Sequence, residues 1–369
     1  MPSPSHFAFH RKAVGWAVLG LGMGKYHANL IRKAPDLKLV AVCDSNAQLL
    51  EERTKDLPGV TKYASMDQLL ADDRVEGVSV VLPHSLHAEV ATRFLKAGRH
   101  VVLDKPFCLA VADGKKLIAT ARARRRLLSV FHNRRWDVDY VTLQRVVDGG
   151  KLGRIRYLES RISGPNHVGG GWRWRARRAT MGGLLYDWGA HLIDQAMFLI
   201  KSRPVRVYGF AQRDFPPTPE CDVEDRMQAL IHFEDGAVAL VAWAMACPAP
   251  MPRFIVEFEH GGVRVEHLIQ SYPSKKEERQ GIVMWSSGRA RTVGRTADQQ
   301  IWKSRFEKTL VPYAKADWVS YYRNVGAALR GKAELAVKPE EALKHVAVNE
   351  AAYRSAKTGK AEPLPKELF

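Results

Sequence analysis

At 369 residues the chain exceeds what one hydrophobic core usually organises, so two domains are expected. Its 46% hydrophobic content is that of an ordinary soluble protein, and no apolar run approaches the ~20 residues that cross a bilayer, which excludes a membrane partner. The formal net charge of +18 raises nucleic acid as a partner, but the excess is spread along the chain without a helix-turn-helix, zinc-finger or RNA-binding signature, leaving a solvated basic surface or a basic cleft for an anionic substrate.

The first thirteen residues lack the apolar core of a signal peptide, and the chain then enters a strand–helix rhythm. Val14 to Leu19, Leu37 to Cys43, Gly77 to Leu82, His100 to Leu103 and Leu127 to Phe131 are short runs rich in Val and Leu, as parallel strands buried on both faces require. Helical segments separate them, most clearly His87 to Ala97, where Val90, Ala91, Phe94 and Leu95 recur at helical spacing before Gly98. This predicts an α/β doubly wound domain over residues 14–132.

After Asn133-Arg134-Arg135-Trp136 the rhythm changes. A helix is expected from Val138 to Val147, followed by longer strands at Ile155 to Ser160, Val205 to Phe210, Met227 to Phe233, Ala237 to Met245 and Phe254 to Glu259. Glu234-Asp235-Gly236 is a hairpin signal between two of them. Residues 133–369 therefore read as an α+β domain with a mostly antiparallel sheet. Ser271 to Ser304 is polar and basic, with one strand candidate at Ile282 to Trp285, and reads as a surface excursion; helices return at Trp318 to Leu329 and Pro339 to Ala356. Cys43, Cys108, Cys221 and Cys247 have neither metal-ligand spacing nor disulfide density, which fits a reducing cytoplasm and a protein without a structural metal.

Three places carry chemistry. Gly20, Gly22 and Gly24, with Met23 between the last two, follow a strand and open a helix, the setting in which backbone N–H groups cradle a pyrophosphate. Against G-x-G-x-x-G the third glycine is one residue early, with Lys25 in its place. Asp44 ends the second strand, where a carboxylate accepts hydrogen bonds from the adenosine ribose or, alternatively, caps the next helix. Lys105 follows Val101-Val102-Leu103 at the carboxyl end of a strand, and Asp187 and His191 are spaced to share one face of a predicted helix, with Asp194 beyond them. Such a pair is also what a helix uses merely to stabilise itself.

Together these segments resemble the glucose-fructose oxidoreductase / inositol dehydrogenase / MocA family. The likeness runs through the glycine loop with His27, Leu82-Pro83-His84-Ser85-Leu86-His87-Ala88-Glu89, Ala97-Gly98-Arg99-His100-Val101, Asp104-Lys105-Pro106, Asn133-Arg134-Arg135-Trp136-Asp137, Gly153-Arg154-Ile155, Trp174-Arg175 and Gly182-Gly183 to Asp194. It continues in Tyr321-Tyr322-Arg323-Asn324 and Ser355-Ala356-Lys357-Thr358-Gly359. The resemblance implies an N-terminal Rossmann domain, an open-faced sheet used for homo-oligomerisation as dimer or tetramer, and NAD(P)-dependent chemistry on sugars or cyclitols. It carries the catalytic roles onto Lys105, Asp187 and His191, and nucleotide contacts onto the glycine loop, Asp44, Pro83, His84, His87, Asp104 and Lys105. Arg173, Trp174 and Arg175 fall on the substrate side. Departures are Asp104 where Glu is usual, His84 where Asn is common, Met181 where a third Gly is common, and the short phosphate loop.

The expected activity is hydride transfer between NAD, in preference to NADP, and a secondary hydroxyl or ketone of a sugar-like small molecule. His191 would act as base, Lys105 would stabilise the alkoxide, and Asp187 would orient the imidazole or share its proton. Two alternatives remain open at this point: a glycosidase using transient C3 oxidation, and a non-catalytic sugar- or NAD-responsive regulator. Specificity loops are expected at His167 to Arg178 and after Ser271.

Overall fold

The computed structural model describes residues 10, 12–164, 170–214, 216–245, 247, 249, 251–270, 280–287 and 306–369. Its first part alternates β1 (Val14–Leu19), α1 (Gly24–Ile31), β2 (Leu37–Cys43), α2 (Ala47–Thr54), β3 (Thr61–Tyr63), α3 (Met66–Ala71), β4 (Gly77–Val80), α4 (His87–Lys96), β5 (His100–Leu103), α5 (Val111–Ala123) and β6 (Leu128–Val130). The six strands form one parallel sheet in the order β3-β2-β1-β4-β5-β6. Every residue of β1, β4, β5 and β6 is buried, the reason these runs are continuously apolar rather than alternating. Strand order reverses between β1 and β4, so the crevice beyond their carboxyl ends is where such a sheet receives a ligand. The segments leaving that edge are the glycine loop, Leu82-Pro83-His84, Asp104-Lys105 and His132.

The second part continues with α6 (Val138–Asp148), β7 (Ile155–Ser163), α7 (Arg178–Met181), α8 (Trp188–Ile200), β8 (Pro204–Gln212), β9 (Arg226–Phe233), β10 (Val238–Ala244), β11 (Phe254–Phe258), β12 (Gly261–Val265), β13 (Gly281–Ser287) and β14 (Phe306–Pro312). It ends with α9 (Val319–Leu329), α10 (Pro339–Thr358) and β15 (Glu362–Pro363). Nine strands form a sheet in the order β14-β13-β12-β11-β7-β10-β9-β8-β15, antiparallel except where β7 meets β10. Alternation along β9 buries Met227, Ala229, Ile231 and Phe233 in a core shared with Leu192, Ile193, Ala196 and Leu199 of α8. Tyr208 and Phe210 of β8 stay exposed.

The late helices tie the two parts together. Tyr321, Tyr322, Val325 and Leu329 of α9 sit in the core of the parallel sheet, while α10 gives Leu343 and Val346 to that core and Val348, Ala351 and Ala352 to the other. The expected strand at Ile282 to Trp285 is β13; the rest of the expected excursion, 271–279 and 288–304, lies outside the described residues. Four strands escaped the sequence reading. β3 and β15 are too short for a period, β12 opens on Gly261-Gly262, and β14 borders the polar stretch. Among the described residues no helix is long and apolar enough to cross a membrane.

Candidate active site

Each glycine of the phosphate loop answers a different constraint. Gly20 has φ +88°, and a Cβ there would lie 2.1 Å from the Val81 carbonyl oxygen, so the turn out of β1 admits no side chain. A Cβ on Gly24 would meet Val18 Cγ1 at 2.8 Å, so Gly24 does the helix–strand packing that the third glycine of the longer motif performs. Around Gly22 nothing lies within 4 Å of a notional Cβ, leaving bare backbone for a ligand to approach. Met23 at the N-cap of α1 makes no side-chain capping bond, and the first turn has no acid, so the free N–H groups and the positive helix end are available to an anion. These residues fit a dinucleotide.

Asp44 is not the cap of the helix that follows it, one of the two readings the sequence left open. Its Oδ2 accepts from Leu21 N (2.7 Å), tying it to the loop, and its Oδ1 accepts from Asn46 N (2.9 Å), while Asn46 itself caps α2. A carboxylate has about four lone-pair positions, so capacity remains for ribose hydroxyls. Lys25 is engaged by Asp56 on the surface.

At the end of β5, Asp104 Oδ1 accepts from Lys105 N (2.9 Å) and stands 3.8 Å from His27 Nε2. His27 Nδ1 bonds Tyr322 OH (2.7 Å), which bonds Ser79 Oγ (2.7 Å), which accepts from Trp16 Nε1 (2.9 Å). This buried chain runs from the sheet to α9 and fixes the strand end. His87 is wholly buried, with Nδ1 2.8 Å from Pro106 O and Nε2 3.1 Å from Leu82 O. The expected nucleotide contact through His87 is corrected accordingly: buried, with each nitrogen turned to a backbone carbonyl, it is a strut between two ligand-bearing segments. Pro83 lies half-buried at the N-cap of the turn that carries His84, whose Nδ1 is 2.8 Å from Met181 O and whose ring meets Trp174 edge-on at 4.9 Å.

Lys105 Nζ pairs with Asp187 Oδ1 in a short, largely buried contact. Burial pushes the Asp187 carboxyl up, but Lys105, His84 and Arg175 outweigh it and hold the group below its usual range, hence ionised. Asp187 is not inside the helix, as the spacing predicted, but at its N-cap with non-helical φ −91° and ψ −97°; α8 begins one residue later. The consequence is a second correction. The carboxylate turns to Lys105 rather than orienting His191, whose Nδ1 is buried with no hydrogen-bond partner among the described residues. Burial, with Lys105, Arg134, His132 and Arg253 nearby, drives His191 well below the usual histidine range, so its imidazole is neutral at pH 7. Its ring meets Trp188 edge-on at 5.8 Å, and Arg134 lies over Trp188 at 4.0 Å.

Of the substrate-side residues, Arg175 stacks on Trp174 at 4.3 Å and its charge reaches Asp187, whereas Arg173 is exposed with φ 52°. His167 lies outside the described residues. The sequence reading missed His132 and His345, which converge on Asp194 near His191. His132 directly precedes the Asn133-Arg134-Arg135 segment, a signal that could have found it; nothing local marks His345.

Known proteins resemble both parts of the chain. Residues 14–132 match the oxidoreductase family with an NAD-binding Rossmann fold, and residues 140–264 match the GFO/IDH/MocA C-terminal domain. The chain belongs to the GFO/IDH/MocA family and is an oxidoreductase with an NAD-binding Rossmann domain. It is 29% identical over 373 residues to an uncharacterized oxidoreductase of Schizosaccharomyces pombe, covering 94% of this chain and 98% of the other. It is 27% identical over 353 residues to scyllo-inositol 2-dehydrogenase (NADP(+)) IolW of Bacillus subtilis, 93% of each. The crystal structure of an NAD-binding protein from Listeria innocua superposes with a TM-score of 0.81 at 26% identity, over 96% of this chain and 97% of that one.

Proposed function

We propose that the protein transfers a hydride between NAD and a secondary hydroxyl, or the matching ketone, of a sugar, cyclitol or derivative. The observation that carries this reading is the convergence of an ammonium paired with an ionised carboxylate, Lys105 and Asp187, and a neutral imidazole, His191, at the carboxyl edge of the sheet whose glycine loop fits a dinucleotide. A bound nicotinamide supplies the hydride acceptor or donor. His191, neutral and therefore able to take a proton, removes the one on the substrate hydroxyl. Lys105 stabilises the negative charge that develops on that oxygen, and Asp187 holds the Lys105 ammonium in place. Burial of Asp187 and His191, with Lys105 only partly exposed beside them, makes these electrostatic effects larger than in water. The relative named as a scyllo-inositol 2-dehydrogenase supports the substrate class. The exposed Tyr208 and Phe210 support assembly through the sheet, as a dimer or tetramer.

For the cofactor, Asp44 at the end of β2 favours NAD. Its carboxylate would repel a 2′-phosphate, Lys25 is engaged by Asp56, and Arg53 lies in the last turn of α2. The NADP-linked name of one relative argues the other way. A screen of sugars, cyclitols, sugar acids and sugar phosphates with NAD and NADP, followed by reduced-nicotinamide absorbance, tests both statements. Turnover with a secondary alcohol of this class is expected, with kcat/KM higher for NAD. Asp44→Ala should narrow that preference by about tenfold, one favourable or repulsive contact of ~1.4 kcal/mol. No turnover across the screen overturns the activity; a wild-type preference for NADP overturns the cofactor assignment.

A further inference from the structure

Once Asp187 is committed to Lys105, His191 has no orienting group among the residues the family resemblance pointed to. The structure supplies a different one. His132 leaves the carboxyl edge of β6, and its ring meets the His191 ring edge-on, centroids 5.9 Å apart and planes at 83°. Behind it, His132 Nε2 is 3.3 Å from His345 Nδ1, and His345 Nε2 is 3.2 Å from Asp194 Oδ1. Arg135 clamps Asp194 from the other side through Nε (2.9 Å) and Nη2 (2.6 Å). The chain ends in two orphans: Nδ1 of His132 and Nδ1 of His191 are both buried without a partner among the described residues. Buried polar atoms in native proteins are rarely left so, and two on touching rings satisfy each other through a small ring rotation or one buried water.

The protons along this chain can be assigned. Burial pushes the Asp194 carboxyl up, but Arg135 more than offsets it, so Asp194 is an ionised acceptor. Burial holds His345 down to about 3 and His132 down to about 4, against the influence of Asp194, so each carries one ring proton at neutral pH. An acceptor-only Asp194 places the His345 proton on Nε2. His345 Nδ1 is then a lone pair, which places the His132 proton on Nε2 and leaves His132 Nδ1 a lone pair. The charged groups acting on His132 are Asp194, Arg135, Lys105 and Asp104. The atoms of His132, Asp194 and His345 lie within 4.8 Å of one another, a spacing a metal ion could use, but the guanidinium fixed on both Asp194 oxygens opposes a second cation there.

We propose that Asp194, His345 and His132 form a fixed-tautomer relay whose free end, His132 Nδ1, accepts the Nδ1–H of His191, making His132 the positioning residue that aims His191 Nε2 at the substrate. The inference rests on the base role proposed for His191. It assigns to a histidine relay from β6, α10 and α8 the orienting task that a carboxylate performs in other base–orienter pairs.

Two measurements test it. The first needs no turnover: nitrogen NMR of the imidazole-labelled protein should show His345 and His132 protonated at Nε2 only and His191 at Nδ1. A proton on His132 Nδ1, or metal coordination at these nitrogens, overturns the relay even if the oxidoreductase reading stands. The second compares His132→Asn with His132→Gln, each checked for folding by its melting temperature. Asparagine keeps an acceptor oxygen near the place of Nδ1; glutamine reaches toward His345 instead. His132→Gln should lower kcat by at least tenfold with KM little changed and displace the acid limb of the kcat–pH profile, while His132→Asn loses less. In the His191→Ala background neither should lower kcat further. The reverse ranking, equal losses, or no loss assigns His132 a packing role and overturns the proposal.

Discussion

His87 and His191 differ in a way that burial alone hides. Both rings are almost wholly removed from solvent, and burial drives both below the usual histidine range. His87 faces a backbone carbonyl with each nitrogen, Pro106 and Leu82, and its neutral ring donates its one N–H to one of them, so it braces the ends of β4 and β5. His191 keeps Nδ1 without a partner among the described residues, beside a Lys–Asp pair. A low pKa therefore does not by itself mark a reactive histidine; unfinished hydrogen bonding in a charged setting does.

The sharpest way to break that contrast is to remove each ring. His191→Ala and Lys105→Ala are each expected to lower kcat by ~100-fold or more, the usual size of acid–base and electrostatic contributions, with nucleotide affinity changed by less than about tenfold. His87→Ala should act mainly on stability, because a buried carbonyl loses its donor at about 1–3 kcal/mol, visible as a lower melting temperature. If His87→Ala stays as stable as wild type yet loses turnover as His191→Ala does, the distinction between strut and base is wrong.

How far the sequence reveals this site follows from the range of the interactions that build it. The glycine loop, Asp44 and Asp104-Lys105-Pro106 are set by strand ends and turns within a few residues, so pattern and spacing located them. Gly24 could be recognised as the packing glycine only once Val18 was seen at 2.8 Å from its notional Cβ. The partner of Asp187 was misread because i, i+4 spacing assumes a continuous helix, and α8 starts after Asp187. His345 reaches Asp194 from a helix distant in sequence, and α9 was read as part of the second domain although Tyr321 and Tyr322 pack under the parallel sheet. Those facts depend on tertiary packing, which no local pattern encodes.

Acid sharpens the comparison at the level of stability. His132 is held at about 4, and His100 and His345 at about 3, against the usual 6.5, with burial the leading cause for each; His27, His84, His87 and His191 shift the same way. Between these values the unfolded chain binds more protons than the folded one. Stability is therefore complete above 6.5 and is lost as pH falls toward 3, His132 alone accounting for about 3 kcal/mol by linkage. Asp139, raised by burial to about 7, and Asp137, raised by burial as well, work in the opposite direction above the usual 3.8, but two carboxyls face seven histidines. Denaturant melts at pH 7 and pH 5 should show a clear drop, reduced in His87→Ala. A flat profile would mean that the buried rings are protonated in place.

The smallest expected effect concerns the rim of the site, where charge meets solvent. Arg175 lies half-buried over Trp174, and its charge reaches Asp187, whereas Arg173 is exposed. A field from these groups draws an anionic substrate toward the entrance, but at physiological ionic strength screening acts within about 8 Å, so the advantage decays steeply with salt. For a sugar acid or sugar phosphate compared with its neutral parent, the ratio of kcat/KM is expected to fall by a few-fold, less than about tenfold, from low salt to physiological salt. Arg175→Gln should flatten that dependence while leaving the neutral substrate nearly untouched, because the guanidinium acts on encounter and not on the transferred proton or hydride. A ratio indifferent to salt in the wild-type protein would assign the rim arginines, and with them most of the +18 net charge, to a solvated surface with no part in substrate selection.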